Sequence, residues 1–275
     1  MTPKLACARL LGIGIAAALS ATAAWSQPAA KLVITGSSTM APLVSEMVPR
    51  FKGLHPGVEV EVRSGGSGRG IVDLRTRTSS IGMASRALLD SERDLFEFPI
   101  ARDGVALIVN RDNPVRNLSA RQALALVTGK IGNWKAVGGH DAPVRLIWRG
   151  KGQGTAEFLA AHFNISHDQV PAQAVVPDNE ALVKEVESQM HAIAPFSVGE
   201  AERRIKAGAR VRMLAFDGVA PSGKTVRSGA YALSRPLALV TRGLPGGPEK
   251  LFIDFALSAH VADLFAKYDF VAYQE

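Results

Sequence analysis

The chain has 275 residues, a formal net charge of +7, 6% aromatic residues and one cysteine. A single cysteine excludes a disulfide framework. The sparse aromatics, with no Lys/Arg run interleaved among them, exclude a nucleic-acid or sugar-stacking groove, whereas a mildly basic surface steers small anions.

Residues 1–26 read as an export signal, which places the protein in a periplasm. Lys4 and Arg9 form the basic segment, Leu10 to about Ala24 the apolar run, and Ala24-Trp25-Ser26 the small-x-small cleavage site before Gln27. The run is too short and too diluted with Ala, Gly, Ser and Thr for a spanning helix. Cys7 precedes it and so is not placed for lipid attachment. The 249 residues that remain carry +5 and suffice for two lobes of about 100–150 residues each.

From Lys31 onward, short β-branched runs alternate with helical stretches. Val33–Thr35 reads as a strand that stops at Gly36, before a helix with apolar residues at Leu43, Met47, Val48 and Phe51. Val58–Val62 alternates with period two. A helix is expected over Ile71–Arg77, a buried strand at Ser80–Arg86, and a short helix capped by Ser91. Val105–Val109 is apolar throughout, as in a strand covered on both faces, and Asn113-Pro114 marks a crossing into a second lobe. There Ser119 caps a helix to about Val127, Trp134 is a core residue in a loop, and Val144–Trp148 is a strand. Asp178-Asn-Glu180 opens a helix to about Met190, followed by a strand at His191–Phe196 and a helix at Glu200–Ala207. Val211–Phe216 leads back to the first lobe. Tyr231–Thr241 is a strand that Pro236 confines to an edge or a crossing, and one last helix spans Lys250 to Lys267. The pattern gives an α/β class with ligands outside the strand carboxyl ends.

Three turns share one grammar: Gly36-Ser-Ser-Thr-Met40, Ser64-Gly-Gly-Ser-Gly-Arg-Gly70 and Arg149-Gly-Lys-Gly-Gln-Gly-Thr155 each stand between a strand and a helix. The first N–H groups of a helix have no partner within it and carry partial positive charge, so they favour an anion. Arg149 beside such a start is unfavourable unless an anion sits there too. Three of these turns in one chain point to one oxyanion held by several helix ends. The six histidines (His55, His140, His162, His167, His191 and His260) lack metal-ligand spacing, so neither a metal nor a cofactor is expected.

With Ile81-Gly-Met-Ala-Ser-Arg86, Ala101-Arg-Asp-Gly-Val-Ala-Leu-Ile-Val-Asn110, Gly129-Lys-Ile-Gly-Asn-Trp134 and Ser234-Arg-Pro-Leu237, these turns resemble, in this order, the phosphate-binding proteins of periplasmic phosphate ABC importers. The resemblance covers about residues 31–270. It implies a two-lobe type II periplasmic binding protein fold, with mixed sheets flanked by helices and inorganic phosphate gripped in the cleft between lobes. The lobes would be 27–113 with 213–275, and 114–212. It also implies a monomer that delivers its ligand to an inner-membrane permease and does no catalysis. Ser38 and Thr39 match donors of the first helix turn, Gly66 and Ser67 the second donor loop, Arg149 the cleft arginine, and Gly154 with Thr155 the third helix start. Gln153 stands where the family often has Ser. Arg86 stands where some members have an Asp that accepts a proton from phosphate. Arg86 either forks two anion oxygens or pairs with an acid such as Asp103, itself a candidate acceptor. These departures leave sulfate, molybdate or a phosphonate open as ligands. A secreted phosphate-ester hydrolase using Ser38 or Ser85 lacks a histidine base in any of the shared motifs.

Overall fold

The computed structural model describes residues 30–273; the export signal expected at 1–26 lies outside them. Strand β1 (Ala30–Gly36), helix α1 (Ala41–Leu54), β2 (Val58–Ser64), α2 (Ser67–Arg75) and β3 (Ile81–Ala84) form two crossover units, so β2, β1 and β3 run parallel. The 15-residue strand β4 (Phe96–Asn110) follows. Beyond it lie β5 (Asn117–Leu118), α3 (Ala120–Val127), β6 (Arg145–Arg149), α4 (Gly154–His162), β7 (Ala174–Val176) and α5 (Asn179–Ser188). Next come β8 (Ala192–Ser197), α6 (Val198–Lys206), β9 (Val211–Met213), β10 (Ala215–Phe216) and α7 (Gly223–Arg227). The chain returns through β11 (Ser234–Thr241) to α8 (Gly247–Ala256), α9 (Ala262–Lys267) and β12 (Val271–Ala272).

The strands join in the order β2-β1-β3-β11-β4-β8-β6-β7, with β9 and β12 also pairing β4 and a separate β5–β10 pair. β4 is shared by both lobes. Phe96 to Gly104 lies antiparallel to β11, whereas Val105 to Val109 lies antiparallel to β8. Gly104 sits at this change of partner, where a Cβ would come within 2.7 Å of Val198 and 2.9 Å of Val226. This change of partner lies ahead of the Asn113-Pro114 break in the chain. Val115, Leu214, Phe216, Val226 and Leu233 all belong to the second core.

Each lobe buries apolar side chains on both faces of its sheet, as the period-two projection of strands requires. In the first lobe Leu237 and Leu239 face one core with Leu32, Ile34 and Phe51. Val240 faces the other with Ile71 and Leu74 of α2. In the second, Leu146 and Trp148 join Trp134 on one face while Ile147 joins Leu182 and Phe196 on the other. Trp134 is fully buried and donates its Nε1–H to His191 O at 2.9 Å.

Four local expectations change. α2 begins at Ser67, so half of the glycine-rich turn is helical. No helix follows Ser91; a single 3-10 turn, Asp90–Glu92, precedes β4, because the Glu92 carboxylate accepts the Leu89 N–H at 2.9 Å. The last helix is two, divided at Ser258, whose hydroxyl accepts the His260 N–H. Pro236 lies within the sheet, but β3 pairs only with Ala238–Val240, so the proline stands past its end, where no ladder bond is needed.

Candidate functional site

Four helix starts and the ends of two strands, β3 and β6, enclose a small polar space lined by Ser37, Ser38, Thr39, Gly66, Ser85, Arg149, Gln153, Gly154, Thr155 and Asn179. Its free volume is about 10 Å³, about the room one water needs.

The first start depends on Gly36. Its φ is +134°, and a Cβ there would lie 2.3 Å from Met83 O, so only a glycine lets β1 end this close to β3. Ser37 N donates to Met83 O at 2.9 Å, and Ser37 Oγ accepts the Met40 N–H at 3.3 Å. Ser37 thus satisfies one of the unpaired N–H groups opening α1 and leaves Ser38 and Thr39 on the lining. The second start is Gly66, with φ +97°, at the N-cap of α2; Gly65 and Gly66 both donate to Gly36 O at 2.9 Å.

The third start comes from the opposite lobe. β6 ends at Arg149, and α4 opens at Gly154 after Gln153. The lobes touch here through Gly68 N, which donates to Gly152 O at 2.9 Å. A Cβ on Gly154 would lie 2.2 Å from Ser67 Oγ and 2.5 Å from Ser85 Oγ, so bare backbone is required at this contact. Asn179 opens α5 as the fourth start, with Asp178 accepting the Ala181 N–H at 2.8 Å.

Arg149 is 4% exposed and touches only neutral acceptors. Its Nη1 donates to Asn179 Oδ1, and its Nη2 to Gln153 Oε1 at 2.8 Å and Pro177 O at 3.1 Å. Its Nε is buried without a partner among the described residues. Burial pulls the guanidinium below the ordinary arginine value, against Asp178 and Glu200 acting at a distance. Asn179 is oriented from behind: its Nδ2 donates to Glu200 Oε2 at 2.6 Å, and Arg204 holds Oε1. Burial drives the Glu200 carboxyl above the usual carboxylate range despite these bonds. The Gln153 side chain bridges the lobes. Its Oε1 accepts from Arg149 Nη2 and from Ser38 Oγ at 3.5 Å, while its Nε2 donates to Gly65 O at 3.3 Å.

Seven of the residues singled out in the sequence therefore meet: Ser38, Thr39, Gly66, Arg149, Gln153, Gly154 and Thr155. Ser67 stands directly behind the lining, fully buried, with its Oγ accepting the Ser85 N–H at 3.0 Å. Arg86 is not on the lining. It is 3% exposed and held by Glu92 at 2.7 and 2.9 Å and by Glu157 at 2.7 Å, so its fork is taken by carboxylates. Nor does it pair with Asp103, which instead binds Arg235 at 2.9 Å. Sequence reasoning passes over Ser37 and Asn179 and weighs Ser85 only as a nucleophile. Ser37 carries a signal as the first hydroxyl after Gly36. Asn179 carries none, since its placement depends on Arg149 and Glu200, 30 and 21 residues away.

The PBP superfamily domain matches residues 21–260 of the chain. The phosphate-binding protein PstS of Bacillus subtilis (strain 168) is 29% identical over 84% of this chain and 76% of its own length. A phosphate ABC transporter substrate-binding protein from Clostridium perfringens, solved with bound phosphate, superposes with a TM-score of 0.81 at 31% identity, covering 89% of this chain and 100% of that one. An ABC-type phosphate transport receptor from Vibrio cholerae gives a TM-score of 0.75 at 28% identity, covering 88% and 100%.

Proposed function

The chain belongs to the PBP superfamily and, within it, to the phosphate-binding receptors of ABC importers, and from that premise we propose that it is exported, captures inorganic phosphate between its lobes and passes it to a membrane permease. The observation that carries the reading is Arg149, a buried guanidinium among amide oxygens. A buried charge without a counter-ion costs several kcal/mol, and an oxyanion arriving at Nε and Nη2 would remove that cost with short, charge-assisted bonds. Residues at the openings of α1, α2, α4 and α5 line the same space, and the partial positive charge of a helix start favours an anion there.

A tetrahedral anion is larger than one water, so entry requires the Gln153 side chain to swing aside or the lobes to part. Contacts that close across the guest and reopen at the permease fit a hinge mechanism. The change of partner within β4 and the return before β11 supply two strands about which the lobes could turn, which supports lobe boundaries near Gly104 and Leu233. Binding without turnover fits the hydroxyls present: Ser38 Oγ meets Gln153 and Ser85 Oγ meets Ser67, and no imidazole among the described residues lines the space.

A second reading, capture of sulfate or a similar dianion, has one observation behind it. No carboxylate among the described residues is on the lining; its side-chain acceptors other than hydroxyls are the amide oxygens of Gln153 and Asn179. A carboxylate would repel a fully ionised guest, whereas an amide does not. Calorimetric titration of stripped protein should show phosphate binding that Arg149→Ala abolishes. Lack of phosphate binding by the wild type rejects the first reading, and displacement of phosphate by equimolar sulfate establishes the second.

A further inference from the structure

Behind the lining lies a fully buried ion pair that makes no contact with the enclosed space. Arg235, at the start of β11, is 1% exposed, and its Nε and Nη2 donate to Asp103 Oδ2 at 3.3 and 2.9 Å. Its remaining nitrogen reaches forward. Nη1 donates to Ser85 O at 2.9 Å in its own lobe and to Thr155 Oγ1 at 2.8 Å on α4 of the other. Asp103 Oδ1 in turn accepts the Gly199 N–H at 3.2 Å near the start of α6.

A hydroxyl has one hydrogen and two lone pairs. Arg235 fills a lone pair of Thr155, and among the described residues this is the only hydrogen bond at that oxygen. The threonine hydrogen is thereby directed away from the guanidinium, and Thr155 lines the anion space. A guanidinium has no acceptor to offer, so the polarity of the contact is fixed in one direction.

We propose that Arg235, anchored by Asp103, is a positioning residue for anion capture: it sets the Thr155 hydroxyl as a donor toward the guest and does so only when α4 is docked against the first lobe. Donor orientation and lobe closure are then one event. This rests on the oxyanion-receptor reading above.

The test is a double-mutant cycle on phosphate affinity, measured by calorimetry with Arg235→Lys and Thr155→Val. A lysine keeps a cation against Asp103, but one ammonium cannot span both Asp103 and Thr155. Each single change should weaken binding by about tenfold, the loss expected for one hydrogen bond to a charged acceptor. The double variant should bind no more weakly than Thr155→Val alone. A merely structural Arg235 would give additive losses in the double variant, and that result overturns the proposal. Should Arg235→Lys fail to fold, Thr155→Ser and Thr155→Val decide it in the native background. The serine should bind within about threefold of wild type and the valine about tenfold more weakly; equal binding by wild type and valine overturns the proposal. Wild-type protein that binds no phosphate instead rejects the receptor reading itself.

Discussion

Arg149 and Arg86 are equally buried, at 4% and 3% exposure, and differ in what they touch. Arg86 is neutralised by Glu92 and Glu157, while Arg149 meets only amide and carbonyl oxygens. Replacing Arg149 by an apolar side chain of similar volume removes the cost of burying its charge but leaves the Asn179, Gln153 and Pro177 oxygens without that donor, so the two effects on stability oppose each other. Arg149→Met should therefore change the melting temperature little without anion and lose phosphate affinity by at least about a hundredfold. Thermal melts paired with titration read both effects, and a large drop in melting temperature would make Arg149 a structural residue. Gln153 raises the opposite expectation. Its Oε1 takes the Arg149 Nη2 and Ser38 donors that a guest oxygen would use, so the side chain competes with the ligand. Gln153→Ser removes the competitor and leaves a hydroxyl, and should tighten phosphate binding several-fold; weaker binding would show that the amide itself contacts the guest. The Arg86 pair bears on acid stability. Burial pushes the Glu92 carboxyl up, yet Arg86 and the Leu89 N–H outweigh it and hold it below the usual range. A lowered carboxyl contributes stability above its unfolded value of about 4.3 and loses it as pH falls through the folded value. Glu92→Gln should flatten the decline of melting temperature below about pH 4.5, measured by calorimetry across that range.

At the level of elements, the three glycine-rich starts are legible because a β-branched run, a break and an apolar period of 3.6 succeed one another within about 20 residues. All the information is local. The partner of Arg86 is nearly as local, six residues on at Glu92, but the segment around Ser91 reads as a capped helix in sequence. What decides it is the Glu92 carboxylate closing back on Leu89 N, which shortens the helix to one turn. The break at Ser258 is equally hidden, since no glycine or proline interrupts Lys250 to Lys267 and the cap there is one hydroxyl. The change of partner within β4 escapes the sequence for a related reason. Asn113-Pro114 is a real break in the chain, but partner change inside a continuous strand leaves only Gly104 as a trace. The apposition of α4 and α2 gives an element-scale prediction. Gly154→Ala would place a methyl 2.2 Å from Ser67 Oγ on the other lobe. Either the Ser67 and Ser85 hydroxyls give up their mutual contacts or the lobes stand apart, so phosphate affinity should fall at least about tenfold while the stability of each lobe changes little, since alanine is the better helix former. Titration with a parallel denaturant melt checks this, and unchanged affinity would show that α4 does not dock on α2 when the guest is held.

Across the whole molecule, the contacts that join the lobes around the anion space include Gly68 to Gly152, Gly65 to Gln153, and Arg86 to Glu157. The last can be removed selectively. Arg86 keeps Glu92 when Glu157 is lost, so no buried cation is stranded and the first lobe keeps its fold. The Glu157 side chain is 24% exposed, so a glutamine there stays partly solvated. The ion pair exists only with α4 docked against the first lobe, and its loss therefore acts on the closed complex and not on the encounter of anion with open protein. Changes of this kind fall on dissociation, whereas steering of a small anion depends on the wider positive field. Glu157→Gln should raise the phosphate off-rate several-fold, leave the on-rate within about twofold, and shift the unfolding midpoint little. Stopped-flow measurement of both rates separates the possibilities. A slower on-rate with an unchanged off-rate would mean that Glu157 acts before closure, and the hinge account of capture would then lose its latch.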